Sequence, residues 1–143
     1  MLQLSPSITP IFQTAGWSAS PSYPAHAEAI NPIDAILAEF CGLTVGQCGP
    51  GVEQAASDVH FYANARPEVA RAILSTWENQ VSNAEAFATA HADHMILFVD
   101  QAGNFYAFTD PDERFYAAGN SFSDLMQRLL LGYPIGRELT KDA

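Results

Sequence analysis

The chain has 143 residues, 48% of them hydrophobic and 15% charged, and sixteen acids against six bases leave a formal net charge of −10. That length suits one domain around one core, and the apolar content is too high for a disordered chain. A field of this sign repels nucleic acid and anionic membrane and attracts basic proteins, so a protein partner is expected and the first two are not.

In chain order, the segment Met1-Leu2-Gln3-Leu4-Ser5 lacks the basic start and the unbroken apolar run of a secretory signal. No apolar stretch reaches membrane-spanning length, so a cytoplasmic protein is expected. Pro6, Pro10, Pro21 and Pro24, with Ser18, Ser20 and Ser22, predict an extended lead-in over residues 1–30, lying on the domain through Ile8, Ile11, Phe12 and Trp17. The domain proper is expected over 31–135, with a tail over 136–143. A first helix should start at the Asn31 cap, with Pro32 in its first turn, Asp34 facing the dipole and Gly42 as its stop. Ile33, Ile36, Leu37 and Phe40 share one face at helical spacing.

Between Leu43 and Tyr62, short apolar runs broken by Gly46, Gly49, Pro50 and Gly51 predict two short strands around a loop. A second helix is expected from about Pro67 to Val81, entered through Asn64 or Ala65, with Val69, Ala70, Ile73, Leu74 and Trp77 buried. Met95–Val99, a turn over Asp100–Asn104, and Phe105–Phe108 read as a hairpin, followed by a strand at Phe115 and Tyr116. Ser121 and Asp124 open a last helix whose Phe122, Leu125, Met126, Leu129 and Leu130 line one side until Gly132. The sum is a single-domain α+β fold, mainly an antiparallel sheet flanked by helices, with the helices on one face.

A catalytic reading has little to work with. Cys41 with His60, His91 or His94 as base would make a Cys/His-dependent hydrolase, but Cys41 falls at what should be the buried end of a helix. His91, Asp93 and His94, with His26, His60 and the two cysteines, contain one tight His pair and no recognised zinc spacing. The loop Gly46-Gln47-Cys48-Gly49-Pro50-Gly51 lacks the Lys-Ser/Thr of a phosphate cradle. No catalytic residue, cofactor or metal is therefore assigned, and an enzyme is not expected.

Several ordered features carry a resemblance: Ala15-Gly16-Trp17, Ala38-Glu39-Phe40-Cys41-Gly42-Leu43, Leu97-Phe98-Val99-Asp100 with Gly103 and Phe105-Tyr106, Gly119-Asn120-Ser121-Phe122, and Leu129-Leu130-Leu131-Gly132. Together they resemble the SUKH superfamily of bacterial immunity proteins, and within it the third subfamily, from about Ala15 to Gly132. The resemblance implies an α+β sheet with flanking helices, no enzymatic activity, and neutralisation of a cognate secreted toxin, often a nuclease or deaminase, by direct binding. Charge agrees from a separate direction, since a toxin that acts on nucleic acid is expected to be basic around its active site. No Lys or Arg precedes Arg66, and the only lysine is Lys141. Asp110, Asp112 and Glu113, on one turn beside Tyr106 and Tyr116, are the expected contact patch. The same acidity without a toxin would suit a general protein-interaction module.

Overall fold

The computed structural model describes residues 3–18, 31–62, 66–110 and 112–140. Its elements run in the order α1 (Thr9–Thr14), α2 (Pro32–Phe40), β1 (Thr44–Val45), β2 (Val59–Phe61), α3 (Pro67–Thr76), β3 (Ala84–Ala90), β4 (Met95–Asp100), β5 (Phe105–Thr109), β6 (Arg114–Ala117), α4 (Phe122–Leu131) and β7 (Arg137–Glu138). The seven strands form one sheet in sequence order, every neighbouring pair antiparallel. Short turns join β3 to β4, β4 to β5 and β5 to β6, each delivering the chain beside the strand it has just left, whereas a loop over 46–58 joins β1 to β2 and the connections from β2 to β3 and from β6 to β7 contain α3 and α4.

The central strand β4 explains the layering. Its side chains alternate, and both sides are buried. Met95, Leu97 and Val99 join Phe12 of α1, Ile33, Ile36 and Phe40 of α2, and Phe122, Leu125 and Met126 of α4. Ile96 and Phe98 join Ala70 and Ile73 of α3 and the following Trp77. Helices therefore cover both faces, not one as the sequence suggested. An unbroken apolar run such as Met95–Val99 is what a strand between two helical layers requires.

Local chemistry sets the element ends. The Asn31 side chain accepts the Asp34 N–H at 3.0 Å, and Ser121 accepts the Asp124 N–H at 3.1 Å. Gly132 closes α4 in the left-handed region at φ 87°. On the first face, Phe12, Phe40, Phe61, Phe87, Phe105 and Phe122 form a connected aromatic cluster, with Phe40 and Phe122 stacked at 5.2 Å.

Four expectations need correction. The lead-in is not extended throughout, since Thr9–Thr14 is helical and both Ile8 and Phe12 are fully buried; Pro10 sits in the first turn of α1, where its missing N–H has no cost. The helix α3 stops at Thr76, short of Val81, and its Val69 is exposed, because its inward face carries Ala70 and Ile73, both buried, and the half-buried Leu74. Strand β3 was not anticipated. Residues 137–138, within the expected tail, form a strand that pairs with β6, and Leu139 is buried beside them. Part of the lead-in (Ser20, Pro21, Ser22 and Pro24), the helix entry at Asn64 and Ala65, and Lys141 lie outside the described residues.

Candidate partner-binding surface

The β5–β6 turn brings Asp110, Asp112 and Glu113 together. The Asp110 N–H donates to the His94 carbonyl at 2.8 Å, which ties this turn to the one preceding β4. Asp112 accepts from the Thr109 hydroxyl at 2.6 Å and lies 3.7 Å from the Arg114 guanidinium, which also reaches Glu138 at 3.8 Å. Glu113 is exposed and takes a left-handed φ of 55°. Asp112 is thus partly neutralised within the chain, whereas Asp110 and Glu113 form no ion pair among the described residues.

The two tyrosines do not complete that surface together. Tyr106 packs with the α3-side cluster, stacked on Phe115 at 5.7 Å, and its hydroxyl donates to Asp100 at 3.4 Å. Burial, and then the charge of Asp100, push its phenol above the ordinary tyrosine value. Tyr116 packs against the opposite cluster. Residues of opposite parity on paired strands point to opposite faces, so one contact patch cannot use both rings.

A second polar centre lies at the same end of the sheet. Asp58 accepts the Ala92 N–H at 2.8 Å and the Cys48 thiol at 3.5 Å, and it sits 3.2 Å from His60 Nε2. Thr44 Oγ1 lies 3.1 Å from the other ring nitrogen of His60. Partial burial pushes the Asp58 carboxyl up, but the Ala92 amide, His60 and Cys48 together hold it below 3.8. What it restrains is a strained turn, for His91, Ala92 and Asp93 are all left-handed, at φ 54°, 53° and 67°. Thr89 and Arg66 hold the same turn, the first donating to the Asp93 carboxylate at 2.6 Å and the second to its carbonyl at 3.1 Å. Nothing local in the sequence announces this hub, because Asp58 and Ala92 are 34 positions apart.

The hydrolase candidates are not assembled. Cys41 lies just beyond α2, exposed, not packed as its position suggested, because it leaves helical geometry at ψ 131°. His60 faces Thr44 and Asp58, while His91 Nδ1 lies 3.1 Å from Ser57 and His94 contacts the His91 carbonyl. Among the described residues no group of three or more His, Cys, Asp or Glu is placed to hold a metal ion. His26 lies outside them. No helix of the described residues is long and apolar enough to cross a membrane.

Two of the sequence features that carry the resemblance meet at the edge of the core, and a third shapes a turn. The Trp17 indole donates to Glu39 at 2.8 Å, and its ring lies 6.2 Å from Phe40, so the Gly-Trp and Glu-Phe features form one contact. Asp100 accepts the N–H groups of Ala102 and Asn104 at 3.0 and 2.8 Å, which folds the β4–β5 turn around Gly103 at φ 92°. Residues 22–132 match the SUKH-3 immunity protein family, and the chain belongs to that family. Comparison with curated proteins and with solved structures gives no match.

Proposed function

We propose that this protein neutralises a cognate secreted bacterial toxin, of nuclease or deaminase type, by binding it and covering its basic functional surface, without catalysing a reaction. Membership of an immunity-protein family supports the role. The observation that carries the mechanism is the charge: −10 overall, with the cations that do form ion pairs, Arg114 and Arg128, held by the chain's own Asp112, Glu138 and Asp124. Excess carboxylates without internal partners attract a cationic surface and speed its capture. Asp110 and Glu113 are the members of the β5–β6 turn proposed to meet it, with Asp112 and a single ring, Tyr106 or Tyr116, beside them.

The experiment is growth of cells that express a candidate toxin with and without this chain. Protection should accompany a stable complex whose formation weakens with added salt. Asp110→Lys with Glu113→Lys should reduce protection while leaving the fold intact, since neither carboxylate holds an ion pair among the described residues. Protection at full strength by that double variant would remove the turn from the contact surface.

A further inference from the structure

A cavity of about 440 Å³ opens between α1, β1 and the last turn of α4, within the usual size range of ligand clefts. Ile11, Ala15 and Leu130 give it apolar walls, and Thr14, Thr44 and Gln47 add oxygen-bearing side chains. No charged side chain among the described residues lines it. The lining residues, and those that flank them in the chain, are all described. The Thr14 hydroxyl donates to the Pro10 carbonyl at 2.9 Å, so its lone pairs remain to accept.

The strand register aligns this cavity with the acidic turn. Val45, Val59, Ala90, Met95 and Thr109 pair in one row across five strands. Gly46 and Gln47 follow Val45, and Asp110 follows Thr109, so both leave the sheet at the same end. Four strand spacings separate them, about 20 Å. That distance fits inside one standard interface of about 800 Å² per partner.

Charge selects what can enter. No Lys or Arg precedes Arg66, so α1, β1 and the 46–58 loop carry neither. Glu53 stands exposed on that loop, its N–H bonded to the Gly132 carbonyl at the end of α4. Among the described bases, Arg66 caps α3 and Arg71 lies on it, on the other face of the sheet, while Arg114 and Arg137 sit on β6 and β7 at the far edge. Arg128, two residues before Leu130, is held 2.9 Å from Asp124. Thr14 and Ala15 close α1 as Leu130 nears the close of α4, so two helix C-termini, each the negative end of its dipole, meet at the cavity.

The geometry points to an arginine side chain of the toxin as the occupant, its stem against Ile11, Ala15 and Leu130 and its guanidinium donating to the oxygens of Thr14, Thr44 and Gln47. This assignment rests on the toxin-binding reading above and gives that interface a buried anchor at one end and the acidic turn at the other. Arginine suits the lining better than lysine, because its weakly hydrated fork of donors can reach several oxygens at once.

The test titrates the isotopically labelled full chain with N-acetyl-arginine methylamide, against its citrulline analogue, similar in shape but uncharged, and its leucine analogue. Amide shifts at Thr14–Ala15 and Thr44–Gln47 that saturate with the arginine compound, about tenfold or more tighter than with either control, support the assignment. Equal binding of citrulline or leucine, or no shift at these amides, overturns it. Gln47→Lys should weaken arginine binding by about tenfold or more while Gln47→Glu tightens it, and weakening by both would overturn recognition of charge. In the growth assay, Thr14→Lys with Gln47→Lys should reduce protection, whereas Ala72→Arg, exposed on α3 across the sheet, retains it. An unmodified chain that gives no protection refutes the toxin reading itself, and the titration still decides whether the cavity takes a cation. Full protection by the folded double variant refutes the cavity alone. Should that variant not fold, the titration of the unmodified chain decides.

Discussion

Asp58 shows how a single carboxylate can be held at a cost and still stabilise. Partial burial disfavours its charge, yet three donors around it more than offset that penalty, and its side chain stays only 18% exposed. Because its folded value lies below the ordinary 3.8, the ionised form binds the native state better than the unfolded one. The stabilisation is complete above pH 3.8 and disappears as pH falls through the folded value. Replacing Asp58 by Asn keeps an acceptor for Ala92 but removes the charge, so urea midpoints at pH 7 should drop by the equivalent of roughly 1–2 kcal/mol. The gap between variant and parent should narrow once the solution is taken below pH 3.8. An unchanged gap at pH 3 would assign the loss to packing instead. Asp100 offers a second case at the same scale. It accepts two amides, the Asn104 side chain and the Tyr106 hydroxyl, so Asp100→Ala strands several donors and should cost about 1–3 kcal/mol in chemical denaturation. The Tyr106 phenol should ionise at lower pH in that variant, since Asp100 is one of the groups that raise it.

At the level of elements, two glycines separate conformational strain from collision. Gly119 and Gly132 have nearly the same left-handed φ, 84° and 87°. A Cβ at Gly119 would meet nothing within 4 Å, whereas at Gly132 it would meet Gln54 and lie 2.6 Å from the Gly51 Cα, where the 46–58 loop crosses the end of α4. Gly119→Ala should therefore cost only the left-handed penalty of about 1 kcal/mol. Gly132→Ala adds overpacking and should cost about 1–3 kcal/mol more, with thermal midpoints as the readout. Equal losses would mean that the loop yields freely. Gly132 was readable in the sequence as a helix stop, and so were the Asn31 and Ser121 caps, since caps depend on residues within four positions of each other. Non-local facts were not readable. β3 is Ala-Glu-Ala-Phe-Ala-Thr-Ala, with four alanines, a residue depleted in strands, and it exists because helices on both sides leave little room for larger side chains. The acidic turn could be placed from its Asp-Pro-Asp-Glu composition, but the faces of Tyr106 and Tyr116 required the β5–β6 register.

For the whole molecule, net charge acts on folding and on association with opposite signs. Ten excess negative charges repel one another in the compact state and to a smaller degree in the expanded one, so they destabilise the fold. The screening length falls from about 10 Å at 0.1 M salt to about 3 Å at 1 M. Added sodium chloride should therefore raise the midpoint of thermal unfolding slightly. Capture of a basic toxin should respond in the other direction, its association rate falling by about tenfold or more over the same range. Dissociation depends on short-range contacts, which salt screens far less, and should change little. Thermal scans and stopped-flow association on one preparation would measure both. If salt weakened the fold and the complex together, unfolding would explain the lost affinity. A fold that tightens while capture slows can be explained only by long-range attraction between an acidic protein and a cationic partner.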